Sequence, residues 1–220
     1  MPGDRTHARQ LAKDFIEKGD PVGWFEPLYA HADGDERRVP WADLVVNPHL
    51  KTWLAGRRLS GERRKAIVIG CGLGDDAEEL ARLGFQVVAF DVSPTAIAWC
   101  RQRFPNSPVE YCAVDLFDSP SSWAVAFDFV FEAYTLQVLP PTLRRAAAEK
   151  IAGYVRQNGK LLVIARGRDS SDDPGTMPWP LTKEELTVFS GFGLHEIQFE
   201  DFFDDENPPV RRFRVEYVKP

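Results

Sequence analysis

A doubly wound, mostly parallel α/β sheet of seven strands with an antiparallel last strand follows from three features of the sequence. Five short, almost wholly apolar runs alternate with helical patterns from Lys65 onward. Three alternate glycines, Gly70, Gly72 and Gly74, stand where the first run gives way to a helix. The tail then offers two alternating segments with no helix between them. Apolar runs of this kind are strands buried on both faces, which needs helices above and below the sheet.

The runs are KAIVIG (65–70), QVVAFD (86–91), VEYCAV (109–114), FDFVFE (127–132) and KLLVIAR (160–166). Between them the helices carry their own end signals. A helix over 75–83 closes on Gly84, which suits the left-handed residue after a helix. Ser93-Pro94 supplies an N-cap and a proline at the first helical position, opening a helix to about Phe104. Leu143, Ala147, Ile151, Tyr154 and Val155 keep helical spacing from Pro141, predicting a helix to Gln157 that stops at Asn158-Gly159. Thr182 and Glu185 form a capping box before Leu186 and Phe189. Segments 194–200 and 211–219 alternate like strands, with FFDDENPP between them. Without a crossover helix they must lie antiparallel.

Residues 1–60 break the pattern: one amphipathic helix (Leu11, Phe15, Ile16) precedes a stretch rich in aromatics and prolines. They predict a cap over the open end of the sheet, forming one structural unit with a ligand-binding domain over 61–220.

The bulk numbers narrow the function. A chain of 220 residues with 44% hydrophobic content suits one α/β domain. A formal charge of −6 argues against sequence-independent nucleic-acid binding. The basic run Arg57–Arg58 and Arg63–Lys65 reads as a solvated lead-in to a strand. No stretch reaches the ~20 apolar residues of a membrane span, and the N-terminus has no apolar signal core. Cys71, Cys100 and Cys112 are too widely spaced for a zinc knuckle and suit reduced thiols in the cytoplasm. His7, His31, His49 and His195 form no metal cluster, so no metal is expected.

In an open parallel sheet, ligands settle outside the carboxyl ends of the strands where strand order reverses. The glycine loop sits at such an end. It fails the dinucleotide fingerprint, because Asp75 stands where a third glycine or alanine belongs, and Asp76 follows. The expectation is that these like charges repel a diphosphate from the helix N-terminus and welcome a cationic sulfur nucleoside. Asp91 ends the second strand about 20 residues beyond Gly70, where a carboxylate accepts ribose hydroxyls. Asp115 ends the third, within reach of an adenine amino group. Taken singly, each aspartate reads better as a turn residue or a helix cap; a glycine loop followed by two strand-end carboxylates in this order favours the ligand.

The segment VIGCGLGDDAEELARLGFQVVAFDVSPTAIAWC resembles the cofactor-binding half of class I S-adenosylmethionine-dependent methyltransferases, which have a Rossmann-like fold. FDFVFEAYTLQVLPPTLRRAAAEKIAGYVRQNGKLLVIARG and PWPLTKEEL resemble the thiopurine S-methyltransferase-like branch, shared by small-molecule and halide methyltransferases. The resemblance implies S-adenosyl-L-methionine as cofactor and S-adenosyl-L-homocysteine as product. It places the methionine part on Gly70, Cys71, Gly72 and Gly74, the ribose on Asp91 beside Val92, and the adenine on Asp115 with Leu116 and Phe117 packing on the ring. Glu132 borders the cofactor as well.

Methyl transfer from a sulfonium is an in-line displacement, so alignment is the main contribution of the protein, worth ~7–11 kcal/mol. A base is needed only where the nucleophile is protonated. Glu132, Tyr134 and Thr135 follow the fourth strand and stand nearest the transferred methyl; Glu132, Tyr134 and His49 are the candidate catalytic groups. Trp24, Phe25, Tyr29, Trp41, Tyr134, Thr135, Arg166 and Trp179 are candidates to enclose the substrate. Most of these aromatics, and Trp53, double as core residues, and Arg168 reads as surface charge. The expected acceptor is a small molecule bearing an S, N, O or halide nucleophile, handled by a monomer or small homo-oligomer. A nicotinamide-dependent oxidoreductase and a non-catalytic S-adenosylmethionine-binding regulator are the alternatives. No Asn/Asp-Pro-Pro-Tyr motif follows the fourth strand, which counts against methylation of a base amino group.

Overall fold

The five apolar runs pair side by side, and their burial accounts for their composition. The structure, a computed structural model, describes residues 5–57 and 59–220. Arg58 of the basic run and residues 1–4 of the N-terminal stretch lie outside the described residues. Strands β1 (Lys65–Ile69), β2 (Gln86–Asp91), β3 (Glu110–Ala113), β4 (Phe127–Ala133) and β5 (Val155–Arg166) are parallel. β6 (His195–Phe203) and β7 (Arg211–Val218) are antiparallel to each other, and β7 is antiparallel to β5. The seven-stranded order is β3-β2-β1-β4-β5-β7-β6. Strand order reverses between β1 and β4, so the Gly70–Gly74 loop stands at the switch point.

Seven α-helices cover the described chain: α1 (Arg5–Glu17), α2 (Phe25–Ala32), α3 (Pro48–Ala55), α4 (Asp75–Arg82), α5 (Pro94–Arg103), α6 (Pro141–Tyr154) and α7 (Lys183–Leu186). α3, α4 and α5 pack on one face, with Leu50, Trp53, Leu80 and Ile97 against Val68, Phe129, Phe131 and Ile164. α6 and the turns after α7 cover the other, with Ala147, Ile151 and Phe189 against Ile67, Val130 and Val163. Among the described residues no helix is long and apolar enough to cross a membrane.

Several end signals act as read. Ser93 Oγ accepts from the Ala96 amide at 3.0 Å, and the Thr182–Glu185 capping box is complete. Gly84 takes φ +91°. Three expectations need correction. α6 ends at Tyr154, not Gln157, because Val155 is already paired with Phe127 of β4 and fully buried. A β-branched residue at a helical period satisfies both patterns, and the strand ladder wins. Asn158-Gly159 therefore lies inside β5, at the register shift opposite Phe127 and Phe129. β6 runs on through Phe203, taking in residues assigned above to the connection.

The third correction concerns the N-terminal segment. α3 does not cap the strand ends; it belongs to the sheet-covering layer. Trp53 stacks on Phe129 with ring centroids 5.3 Å apart, and its Nε1 donates to Glu216 at 3.1 Å. The Arg57 guanidinium lies 4.4 Å from its ring centroid. Trp53→Ala removes a fully buried indole and one of three donors to the Glu216 carboxylate, which Arg57 and Lys160 still hold. We expect a loss of ~3–5 kcal/mol, read as a lower urea midpoint at unchanged slope.

Candidate active site

The glycine loop is built by positive backbone torsions and by one buried carboxylate. Gly70, Gly72 and Gly74 have φ of +57°, +54° and +92°. At Gly70 and Gly74 a Cβ would also lie 2.5 Å from Thr135 Oγ1 and Tyr111 Oη respectively, so both are packing requirements. At Gly72 the nearest atom to such a Cβ is Tyr29 Oη, at 3.5 Å. That position alone presents bare backbone to an approaching ligand. Asp91 Oδ2 accepts from the Gly72 amide and Oδ1 from the Ser93 amide, both at 3.0 Å. Burial pushes the Asp91 carboxyl up to about 6, against the opposing pull of the Ser93, Gly72 and Val92 amides.

The electrostatic role expected of Asp75 and Asp76 is not what the structure shows. Asp75 is held by Arg103 at 2.7 and 2.8 Å, and Asp76 accepts from the Asn47 amide at 2.7 Å. Burial raises Asp76 to about 7. Neither is a free negative charge facing the loop. What disfavours a diphosphate is the loop's own wiring. The Cys71 amide donates to Phe90 O, Gly72 to Asp91 and Gly74 to Cys71 O. A phosphate cradle needs such amides unpaired.

At the end of β3, Asp115 Oδ1 caps the Phe117 amide at 2.8 Å, as its turn reading anticipated. Leu116 is buried and Phe117 half-buried against the α6 face. At the end of β4, Glu132 Oε1 accepts from the Thr135 and Leu136 amides at 2.7 and 3.0 Å. The side chain is fully buried, and Oε2 has no hydrogen-bond partner among the described residues. Burial raises this carboxyl to about 7. Tyr134 follows with φ +67°, a torsion costly for a bulky side chain. Thr135 reaches back to Ile69 O at 3.4 Å and fills the space above Gly70.

The predicted substrate residues separate into two groups. Trp24, Phe25 and Trp41 cluster with Met177 and Trp179. Trp24 is wholly buried and stacked on Phe25 at 3.9 Å, which makes it core. Tyr29 Oη accepts from Trp41 Nε1 at 2.8 Å over the glycine loop. The second group was not foreseen as a group. His49, Tyr134 and Arg166 converge on Arg212: its guanidinium lies 5.2 Å from the Tyr134 ring centroid and directly opposite Arg166 in the β5–β7 register. His49 Nε2 stands 3.9 Å from Asp204, which Arg212 binds at 2.6 Å. Burial, followed by the Arg212 charge, lowers His49 to about 4. Arg168, read as surface charge, is engaged with the Pro180 carbonyl and Glu185.

Residues 66–159 match the sequence model of a methyltransferase domain. Thiocyanate methyltransferase 1 of Arabidopsis thaliana is 28% identical over 210 residues, covering 90% of this chain and 84% of that protein. Thiopurine S-methyltransferase of Vibrio vulnificus (strain YJ016) is 23% identical over 186 residues, covering 76% and 82%. The N-methyltransferase NodS from Bradyrhizobium japonicum WM9, solved with S-adenosyl-L-homocysteine, superposes with a TM-score of 0.63 at 18% identity, covering 96% of this chain and 98% of that one. The chain therefore carries a methyltransferase domain, in the fold shared by class I S-adenosylmethionine-dependent methyltransferases.

The residues present fit that cofactor. Gly72 leaves room for close approach, and each Asp91 oxygen keeps a lone pair for a ribose hydroxyl after accepting one amide. Asp115 Oδ2 makes no hydrogen bond among the described residues. Asp91 and Asp115 thus keep free acceptor capacity for the hydroxyl and amino donors of a nucleoside. Sequence reasoning missed Glu26, whose carboxylate binds Ser93 Oγ at 2.6 Å and Thr95 at 2.6 and 3.1 Å, pinning α2 to the start of α5. An exposed-looking Glu in WFEP carried no signal for this.

Asp91→Ala should weaken S-adenosylmethionine binding by about 10²-fold, the loss of two charge-assisted hydrogen bonds. The ionised carboxylate is the better acceptor, so affinity should fall as pH drops through about 6. Titration calorimetry between pH 5 and 8 checks both, and Asp91→Asn should flatten the pH dependence.

Proposed function

We propose that this methyltransferase acts on a small, soft nucleophile, a thiol or a thiocyanate-like anion, presented beside Tyr134. The observation that carries this is the fate of the acid at the end of β4. Glu132 is fully buried with Oε1 capping two amides; although burial raises it to about 7 and Oε2 is unpaired among the described residues, in this reading it holds the turn rather than taking a proton from a substrate. His49, lowered to about 4, is a weak base. An amine or hydroxyl acceptor would need one; a thiolate, thiocyanate or halide does not. Thiocyanate, thiol and thiopurine methyltransferases among the relatives are named for that chemistry, while another relative is named an O-methyltransferase of ubiquinone biosynthesis.

In this reading the protein works by placement. The cofactor, when bound, supplies an electrophilic methyl on a sulfonium. The chain's own residues hold its ribose through Asp91, close the site with Tyr29 and Trp41, and set the Tyr134 ring at the acceptor side. Burial raises the Tyr134 hydroxyl above its usual range, so it stays protonated and serves as a hydrogen-bond donor to an anionic acceptor. Glu132 is a positioning residue that fixes the turn carrying Tyr134 and Thr135. The three free thiols suit a reducing, cytoplasmic setting.

Transfer of labelled methyl to a panel of thiols, thiocyanate, iodide, phenols and amines tests the proposal. Thiols and thiocyanate should exceed amines and phenols by at least about 10²-fold in kcat/KM, the range a general base normally supplies. With no base on the enzyme, the rise of kcat/KM with pH should track the pKa of each thiol. A midpoint that stays fixed while the thiol pKa is varied would instead reveal an enzymic base and overturn the reading.

A further inference from the structure

Arg166 and Arg212 are direct cross-strand partners at the last rung of the β5–β7 ladder. Like charges directly opposite in a sheet are destabilising, so the pair needs either neutralising partners or a purpose. Arg212 has partners: Nε binds Asp204 at 2.6 Å, a second nitrogen binds Glu206, and its flat face covers Tyr134. Asp204 is further occupied by the Glu206 and Val210 amides at 3.1 and 2.8 Å. Arg166 has none. Its backbone amide donates to Gln137 at 2.8 Å, but no ion pair or side-chain hydrogen bond among the described residues includes its guanidinium.

The surroundings add positive charge. Arg5 of α1 faces the same place, since Arg166 is repelled by Arg5 and Arg212, attracted by Glu206 and half-buried. Arg5 in turn is repelled by Arg9 and Arg212 and attracted by Glu206 and Asp43. Arg9 donates to Met177 O at 2.8 Å from the same helix. Four guanidiniums (Arg5, Arg9, Arg166, Arg212) thus meet three carboxylates (Asp43, Asp204, Glu206), in a chain whose total charge is −6. Arg5 and Arg166 both stand there without an ion pair or side-chain hydrogen bond among the described residues, and of the two Arg166 lies beside Tyr134 at the ends of the strands.

Resting on the reading that this site methylates a small nucleophile, we propose that Arg166, flanked by Arg5 and Arg212, is a specificity-determining residue that receives the single negative charge of the acceptor. The planar fork of Arg166 pairs bidentately with a carboxylate and attracts a linear anion by charge and single hydrogen bonds. Two sources fit that chemistry: the nucleophile's own charge, as in thiocyanate, or a carboxylate beside it, as in mercaptoacetate. Neutral thiols of the same size are the disfavoured class. α1 matters to this site because it completes the positive wall, which gives residues at the start of the described chain a reason to lie over the sheet.

Calorimetric titration of the full chain, saturated with S-adenosylhomocysteine, tests the assignment with mercaptoacetate, thiocyanate and the neutral 2-mercaptoacetamide. The wild-type protein should bind at least one of the two anions ten-fold or more tighter than the amide. Mercaptoacetate as the favoured anion would mean a neighbouring carboxylate is read; thiocyanate, the nucleophile itself. Arg166→Met should erase that preference while leaving amide binding unchanged, and Arg166→Lys should keep part of it. Equal affinity for the amide and both anions in the wild-type protein overturns the proposal without any variant. An Arg166→Met protein that keeps the preference, or loses amide and anions alike, also overturns it. Methyl-transfer assays separate the two readings. Anion preference without transfer sinks the proposed function and leaves Arg166 standing, whereas transfer to thiols with no charge preference does the reverse.

Discussion

The site depends on a single buried carboxylate. Asp91 ends β2 and binds the Gly72 amide on one side and the Ser93 amide on the other. It thereby joins the loop after β1 to the start of α5. Without it the Gly72 N–H would lose its acceptor and the loop its tether to the neighbouring strand. Burial makes the ionised form costly, which is why the carboxyl titrates near 6. A group poised in this way gains from any ligand that offers it hydroxyl donors. The same residue therefore shapes the loop and keeps acceptor capacity for a ligand's hydroxyls.

The acids at the start of α4 illustrate how a correct conclusion can rest on the wrong force. Residue type and spacing alone suggest that Asp75 and Asp76 repel phosphate. In three dimensions Arg103 cancels the first, and the second lies buried under the Asn47 amide. Within the loop itself, three amides already have acceptors and are not free for a phosphate. Sequence shows a charge but not its partner, and Arg103 lies far along the chain from Asp75.

That distinction separates what was legible from what was not. Features fixed by neighbours in the chain could be read: the apolar runs, the alternate glycines, Ser93-Pro94, the Thr182–Glu185 box and the antiparallel tail. The end of α6 could not, because Tyr154 and Val155 suit a helix and a strand equally and only pairing with Phe127 decides between them. The aromatic N-terminal stretch showed that something covers the sheet. It did not show that Trp53 stacks beneath β4 while Tyr29 stands above the loop. The acidic turn after β6 read as a plain connection, yet Asp204 and Glu206 hold Arg212 in place.

The acceptor side follows from the same long-range logic. A cofactor site recurs among class I folds because strand ends and a glycine loop suffice to build it. The proposed acceptor site draws on pieces distant in sequence: Arg5 on α1, His49 on α3, Tyr134 after β4, Arg166 on β5 and Arg212 on β7. Each piece is ordinary alone. Their meeting leaves the Arg5 and Arg166 guanidiniums without an ion-pair partner among the described residues, near a tyrosine held at φ +67°. Folded proteins rarely tolerate an unneutralised charge pair and a strained bulky residue side by side unless surrounding structure over-determines both. Here the β4 turn fixed by Glu132 and the ladder between β5 and β7 supply that constraint, so the rigidity of the sheet is what makes the positive site possible.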